Sequence, residues 1–196
     1  MSLAIFGASA CASLVAPNPS SEPAALRSGQ YALDTAHAAV LFKIDHLGFS
    51  QYVGRFETVD ASLDFDAEAP ENARLEAIVD VASLDVANDE FAQTLIGPNW
   101  FDASAHPQAR FVSTTVEITG ERTGRVVGDL TLKGVTRPIA LDVTFNGGDR
   151  DLLRGSYVVG FSATGTFDRT EFGVDRFSGP VGDIVRLEIE AEFERD

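Results

Sequence analysis

Three histidines, His37, His46 and His106, are the side chains of this 196-residue chain best suited to metal binding or acid–base chemistry. His37 and His46 are too far apart to share one strand face or one helical turn, and no HExxH-type pair occurs. Zinc sites usually use such close pairs or several cysteines, and the chain has one cysteine. The sequence therefore predicts no metal site and no cofactor. His46 is expected to be structural, with contact to a polar ligand left open.

Catalytic chemistry has weak support in the sequence. Ser50 is not part of a G-x-S-x-G nucleophile motif. Asp102 and His106 could form an acid–base pair, but Asp-x-x-x-His-Pro is more simply typical of a turn. We therefore expect no enzymatic activity. An enzyme that uses His46, Asp102 and His106 remains the alternative.

Charge and aromatic content narrow the range of partners. The formal net charge of −15 disfavours nucleic acid and adhesion to an anionic membrane through charge alone. The chain has 14 Phe against three Tyr and one Trp. Phenyl rings have no polar group and suit purely apolar surroundings. Core packing explains most of them, and an internal space for an apolar ligand would explain the excess.

The first residues have the pattern of an export signal. Residues 3–10 are apolar, and Ala8 and Ala10 match an A-x-A cleavage site. Cys11 follows directly, as in a bacterial lipoprotein box, which makes it a candidate lipidation site. We expect a periplasmic protein, either anchored through Cys11 or released by simple cleavage. The chain then divides into a signal segment (1–11), a Pro/Ser-rich linker (12–30) and one domain (31–196).

Almost all of the chain after residue 30 alternates between apolar and polar residues with the period of a β-strand. The clearest case is 185–194, where apolar residues at odd positions alternate with Arg or Glu at even positions. The other alternating segments are 40–44, 59–65, 75–81, 126–132, 139–145 and 157–167. Turns are expected at Lys133-Gly134 and at 146–148, and the alternation is blurred around 110–118.

One segment predicts a helix instead. In residues 88–97, Asn88 can cap the N-terminus and Gly97 can end the helix. Phe91 and Leu95 would share one face, and we expect that face to cover one end of the sheet. A sheet of about eight strands with one solvent-exposed face forms either a barrel or a sandwich, and periodicity alone does not decide between the two.

Several short motifs occur in a recognisable order. They are Tyr31-x-Leu33-Asp34-x-x-His37, His46-Leu47-Gly48-Phe49-Ser50, Gly54-x-Phe56, Trp100-Phe101-Asp102, Gly128-x-Leu130 through Pro138, and Arg169-Thr170-Glu171-Phe172-Gly173. Together, from residue 31 to about 194, they resemble the YceI-like family of bacterial polyisoprenoid-binding proteins. Trp100 stands where Phe is more usual in that family.

The resemblance implies an all-β fold with one or two short helices: an eight-stranded, antiparallel, up-and-down, lipocalin-like barrel. Its lumen would carry or sequester a long-chain isoprenoid lipid, of the polyprenyl phosphate or quinone type, without catalysis. The residues expected to contact the ligand are Phe42, Ile44, His46, Phe49, Phe56, Leu63, Trp100, Phe101, Phe111, Leu130, Leu141, Phe161, Phe172 and Leu187. Arg137 and Arg169 are the candidates for binding a phosphate head group.

Two other functions stay open at this stage. One is the enzyme described above, acting on an isoprenoid substrate. The other is a structural or stress-response module whose core is filled. In all cases we expect no nucleic acid partner and membrane contact only through a lipid anchor. The oligomeric state is open, a dimer included.

Overall fold

The computed structural model describes residues 17–196, so the expected signal segment and Cys11 lie outside the described residues. The strands are β1 (Gly29–Leu33), β2 (Ala39–His46), β3 (Ser50–Phe56), β4 (Val59–Phe65), β5 (Arg74–Asp80), β6 (Leu84–Val86), β7 (Gln108–Ile118), β8 (Thr123–Leu132), β9 (Val135–Arg150), β10 (Tyr157–Asp168) and β11 (Val181–Arg195). The helix α1 spans Asp89–Leu95, and short 3-10 helices interrupt or follow several strands. No helix within 17–196 is long and apolar enough to cross a bilayer.

The strands form one closed antiparallel barrel. A 3-10 helix at Thr35–His37 separates β1 from β2, and both halves pair with β11. In the same way β3 continues into β4, and β5 into β6, so each pair makes one barrel strand. The order around the barrel is then the order along the chain. The predicted eight-stranded up-and-down barrel is confirmed.

The alternation in the sequence decides which side chains point inward. In β11 the apolar residues at odd positions from Val185 to Phe193 line the lumen, while Arg186 and Glu188 are exposed. Successive side chains of a strand leave opposite faces of the pleat, so a closed sheet must put one set inside.

Two local predictions are confirmed. Lys133 and Gly134 both have positive φ, as a two-residue type I′ hairpin requires between β8 and β9. The side chain of Asn88 accepts a hydrogen bond from the backbone N–H of Phe91 and caps α1. The helix is slightly shorter than the predicted 88–97 because Ile96 forms its C-cap.

The turn expected at 146–148 does not exist. β9 continues through these residues to Arg150, and the chain reverses at 151–156 instead. The pairing of β9 with β10 shifts beside Gly160, which leaves Asn146 as a bulge. Asn and Gly suit a bulge as well as a turn, so the composition alone was misleading.

A second bulge explains the blurred alternation in β7. The pairing of β7 with β8 shifts between Ser113 and Thr115. Before the shift, Phe111 at an odd position lines the lumen, and after it Val116 and Ile118 at even positions do so. A bulge adds one residue to a strand and so exchanges the two faces.

The described part of the expected linker packs on the barrel. Ser20 and Gly148 exchange two backbone hydrogen bonds, of 3.0 and 2.9 Å. The hydroxyl of Tyr157 donates to the carbonyl of Ala25 at 3.0 Å. The folded unit therefore begins before residue 31, and only part of 12–30 is left to act as a tether.

Candidate binding cavity

The barrel encloses a cavity of about 420 Å³, within the usual range of about 300–1,000 Å³ for ligand sites. Its wall is built almost wholly from aliphatic and aromatic side chains of the barrel strands. Inward-pointing residues such as Leu130, Phe161 and Leu187 are only partly buried, as expected beside an unfilled space. The cavity does not fit the alternative of a filled core.

Most of the residues predicted to contact a ligand line this cavity. They are Phe42, Ile44, Phe56, Leu63, Trp100, Phe101, Phe111, Leu130, Leu141, Phe161 and Leu187. All of them except Trp100 and Phe101 lie on strands, where alternation gave the correct face. Their contact with a ligand stays a prediction.

Phe49 was predicted to contact a ligand in the lumen, and the structure places it elsewhere. It is 88% exposed and does not line the cavity. Leu47 and Gly48 before it both have positive φ and form the tight reversal between β2 and β3. This turn carries the Phe49 ring away from the barrel.

His46 and Phe172 also lie outside the cavity wall. His46 is exposed at the end of β2, with its ring 6.2 Å from that of Tyr52. Phe172 is only 1% exposed, but it packs edge-on against Phe167 at 5.3 Å between ring centres. Phe172 therefore supports the wall from behind, while Phe167 faces the lumen.

One end of the barrel, here called the helix end, is closed. It consists of residues 89–107, which include α1, together with the β8–β9 turn and residues 169–180. Leu95, Trp100 and Val174 are buried there and border the cavity. The Trp100 ring contacts Phe91 edge-on at 6.5 Å and Phe177 at 6.1 Å. Phe91 itself stays partly exposed, so Leu95 is the residue of the predicted helix face that closes the barrel.

Arg169, a head-group candidate, borders the cavity at the helix end, but its donors are engaged within the protein. It is 3% exposed. Its five N–H groups donate to the backbone carbonyls of Val174, Arg176, Val181 and Gly182 and to the carboxylate of Asp183. No donor is left over, and the guanidinium instead holds together the loop between β10 and β11 at the helix end.

Arg137, the other head-group candidate, is in the wrong place. It is exposed, it does not line the cavity, and its Nη1 donates to the backbone carbonyl of Thr136. Arg137 shares the face of inward-pointing Ile139, but it lies near the start of β9 beside the β8–β9 turn, beyond the cavity wall. Neither of the two arginines presents a free donor to the cavity, so the geometry does not support them as head-group ligands.

The opposite end, here called the N-terminal end, consists of residues 17–28, 66–73, 119–122 and 151–156. A basic side chain that the sequence interpretation missed, Arg122, borders the cavity there. Its Nε donates to the carbonyl of Phe145 at 2.9 Å, and its Nη2 donates to that of Asn146. Arg122 lies in the turn between β7 and β8, where no alternation of apolar and polar residues predicts the direction of a side chain. Only its position between two strands that line the lumen could have pointed to this residue.

The predicted turn at 102–106 is present. The backbone N–H of His106 donates to the carbonyl of Asp102 at 2.8 Å. The Asp102 carboxylate accepts from the hydroxyl of Ser104 at 3.2 Å. Within 17–196, no hydrogen bond joins the Asp102 and His106 side chains. The geometry shows a turn rather than an assembled acid–base pair.

A polar cluster lies outside the barrel. Asp34, His37 and Glu192 are close enough to share a metal ion. However, the guanidinium of Arg154 already bonds Asp34 and Glu192, the latter at 2.7 Å, and Asp151 at 2.6 Å. These three carboxylates share one guanidinium, so the cluster is an ion-pair network centred on Arg154.

Comparisons with known proteins agree with this architecture. Residues 31–193 match the family model of the YceI-like domain. A UPF0312 protein of Pseudomonas savastanoi pv. phaseolicola is 40% identical over 156 residues, which cover 80% of each chain. A UPF0312 protein of Shewanella baltica is 35% identical over 190 residues, which cover 96% of each chain.

Solved structures share the fold. BcnA of Burkholderia cenocepacia has a TM-score of 0.74 at 24% identity, covering 82% of this chain and 98% of that one. The YCEI protein of Campylobacter jejuni has a TM-score of 0.70 at 28% identity, covering 79% and 91%. A polyisoprenoid binding domain from Saccharophagus degradans has a TM-score of 0.63 at 11% identity, covering 87% and 100%.

Proposed function

This chain belongs to the YceI-like family, and from that membership and its apolar lumen we propose that it binds a long-chain isoprenoid lipid and carries or sequesters it. The observation that carries the proposal is the cavity of about 420 Å³ with a wall almost free of polar side chains. Burying an apolar tail against such a wall gains about 25 cal/mol per Å². The shared fold of the polyisoprenoid binding domain from Saccharophagus degradans supports the same ligand class.

The proposal includes no catalytic step. Side chains such as Leu130, Val143 and Phe161 make up most of the wall and offer dispersion contacts rather than acid–base or nucleophilic chemistry. The Asp102–His106 turn does not present an assembled pair to the lumen. Such a site selects a ligand by its length and shape rather than by reaction.

Native mass spectrometry of the protein purified from its bacterial host tests the function directly. We expect a bound lipid of isoprenoid mass, and uptake of added polyprenol, polyprenyl phosphate or quinone when the lipid is stripped. A protein that is repeatedly empty and takes up none of these lipids would overturn the proposal.

A matched pair of variants sharpens this test. Ala163 on β10 lines the lumen, whereas Thr164 beside it is exposed. Ala163→Phe should fill lumen space and reduce the amount of bound lipid, while Thr164→Phe should leave it unchanged. Equal lipid retention by both variants would place the ligand somewhere other than the lumen.

We also propose that the protein is exported to the periplasm, with Cys11 as the lipidation site. The support is the sequence alone: the small residues Ala8 and Ala10 directly before Cys11. A carrier of a membrane lipid would gain from a short tether to the membrane that supplies its ligand.

A further inference from the structure

We infer that the lipid lies in one orientation, with its polar end at Arg122 on the N-terminal end and the far end of its tail at Trp100. This orientation rests on the proposed function and adds to it a direction and a head-group residue. The family motifs quoted above predict neither a role for Arg122 nor the orientation of the lipid, because Arg122 lies in the β7–β8 turn outside those motifs.

The helix end offers nothing to a polar group. Leu95, Trp100 and Val174 border the cavity there and are at least nine-tenths buried. Two arginines line the cavity at this end: Arg169 has all five donors engaged, and Arg110 is paired with Glu76. A polar head placed here would lose its water and gain no partner, at a cost of several kcal/mol. An isoprenoid tail makes no hydrogen bonds to water, so its burial in the same place carries no such cost.

The N-terminal end is where water reaches the cavity. Ile118 lines the cavity but is 47% exposed, although apolar residues that face a barrel interior are normally covered. The adjoining turn residues 119–122 are all exposed. Ser21 and Thr123 add hydroxyl groups to the same border, and Glu121 adds a carboxylate that makes no ion pair with Arg122 among the described residues. A head group can stay hydrated at this end while its tail is buried.

Arg122 is held in place at this border. Two of its nitrogens donate to consecutive carbonyls of β9, those of Phe145 and Asn146. Phe145 itself lines the cavity, so the guanidinium is anchored beside the apolar wall. A side chain fixed in this way loses little further entropy when it binds a ligand.

The outer edge of this guanidinium is available. Among residues 17–196, its Nη1 has no hydrogen-bond partner, and no carboxylate lies within ion-pair distance of Arg122. Arginine N–H groups bind acceptor oxygens, with charge-assisted strength when the oxygen is anionic. The chemistry recognised is therefore an acceptor oxygen at the head of the lipid, supplied by a phosphate or by a quinone carbonyl.

Fluorescence quenching tests the direction, because Trp100 is the only tryptophan of the chain. Two polyprenols of equal length would be used, one with a nitroxide at the far end of its tail and one with the nitroxide beside the hydroxyl. We expect the far-end label to quench Trp100 emission more strongly. Stronger quenching by the label beside the hydroxyl, or equal quenching by both, would overturn the orientation.

Substitution tests the head-group residue. Affinities would be measured for a polyprenyl monophosphate, a quinone and an alkene with the same tail. Arg122→Gln should weaken binding of the preferred oxygen-bearing lipid about tenfold, or about 1.4 kcal/mol, and leave the alkene unchanged. Arg137→Gln, an exposed arginine at the other end, is the matched control and should change neither. Whichever of phosphate and quinone the unsubstituted protein prefers identifies the source of the oxygen.

The outcomes remain separable from failure of the proposed function. If no lipid binds the unsubstituted protein, the function itself is wrong. If the lipids bind and Arg122→Gln behaves like Arg137→Gln, only the role of Arg122 is overturned. The quenching experiment uses the unsubstituted protein, so it holds even where Arg122→Gln destabilises the barrel.

Discussion

Leu187 and Glu188 are neighbours in β11 but lie on opposite sides of the barrel wall. Leu187 lines the lumen, whereas the carboxylate of Glu188 lies outside, 2.6 Å from Nζ of Lys43. Leu187→Arg would put a charge into an apolar space, which costs several kcal/mol. We expect this variant to lose bound lipid and to melt at a lower temperature, measured by native mass spectrometry and thermal unfolding.

Glu188→Arg is the control for that substitution. It removes one exposed ion pair, a loss of about 1 kcal/mol or less, and leaves the lumen untouched. Lipid retention should equal that of the unsubstituted protein. Similar losses in both variants would mean that the inner and outer faces of β11 have been assigned wrongly.

The contribution of α1 to closing the barrel can be measured through Leu95. Leu95 is buried at the helix end of the cavity, and Leu95→Ala should lower the free energy of unfolding by about 2–5 kcal/mol. Because the closing layer is then incomplete, bound lipid should exchange faster, as followed by the release of a fluorescent analogue. Gln93→Ala, on the exposed side of the same helix, should change neither quantity. An unchanged release rate in Leu95→Ala would exclude α1 from the closure.

Arg169 is expected to stabilise the fold rather than to bind a ligand. Arg169→Met would leave four carbonyls and the Asp183 carboxylate without their donor. Breaking a buried charged network in this way costs about 3–5 kcal/mol, which urea unfolding would detect. Exposed Arg137→Met should cost less than about 0.5 kcal/mol. A stable Arg169→Met protein with weakened phosphate binding would restore Arg169 as a head-group ligand.

The cluster around Arg154 predicts a dependence of stability on pH. The hydrogen bond from Arg154 is the main reason why the pKa of Asp151 lies below its ordinary value. Partial burial alone would raise the pKa of Asp34, but hydrogen bonds from His37 and from the N–H of Ala36, with the charge of Arg154, lower it overall. Carboxylates with depressed pKa values stabilise the fold above their unfolded pKa, and this stability is lost as pH falls through the folded pKa.

Arg154→Gln should therefore lower the melting temperature at pH 7, and the difference from the unsubstituted protein should shrink below about pH 4. Thermal unfolding across a pH series measures it. Arg55→Gln, which breaks only exposed pairs with Glu57 and Asp85, serves as the control and should have a smaller effect at every pH. If the melting temperatures of Arg154→Gln and the unsubstituted protein instead differ by the same amount down to pH 2, that result would contradict the claim that ion pairs of Arg154 with Asp34 and Asp151 cause the pH dependence.

Lipidation at Cys11 has a direct chemical test. Metabolic labelling with a clickable fatty acid should label the full-length protein in its bacterial host, and Cys11→Ser should abolish the label. The reason is that the lipid is attached through the Cys11 thiol, which serine lacks. Equal labelling of both proteins would exclude lipidation at Cys11, and periplasmic fractionation would then decide between simple export and retention in the cytoplasm.

The inward and outward faces of most strands could be predicted from the sequence. Neighbouring side chains such as Leu187 and Glu188 must leave opposite faces of the pleat, so a local alternation determines the face without knowledge of any partner strand. The start of α1 was predictable for the same reason, since Asn88 caps a backbone N–H only three residues away. The lumen wall follows from such patterns almost completely.

Only the tertiary structure decided which end of the barrel is closed and what each arginine does. Arg122 donates hydrogen bonds to carbonyls more than twenty residues along the chain. Arg169 is surrounded by an irregular loop whose sequence has no periodic pattern. The bulge at Asn146 likewise depends on pairing with β10. A side chain outside regular structure takes its role from groups that the closed barrel brings to it, and no pattern among its sequence neighbours specifies those groups.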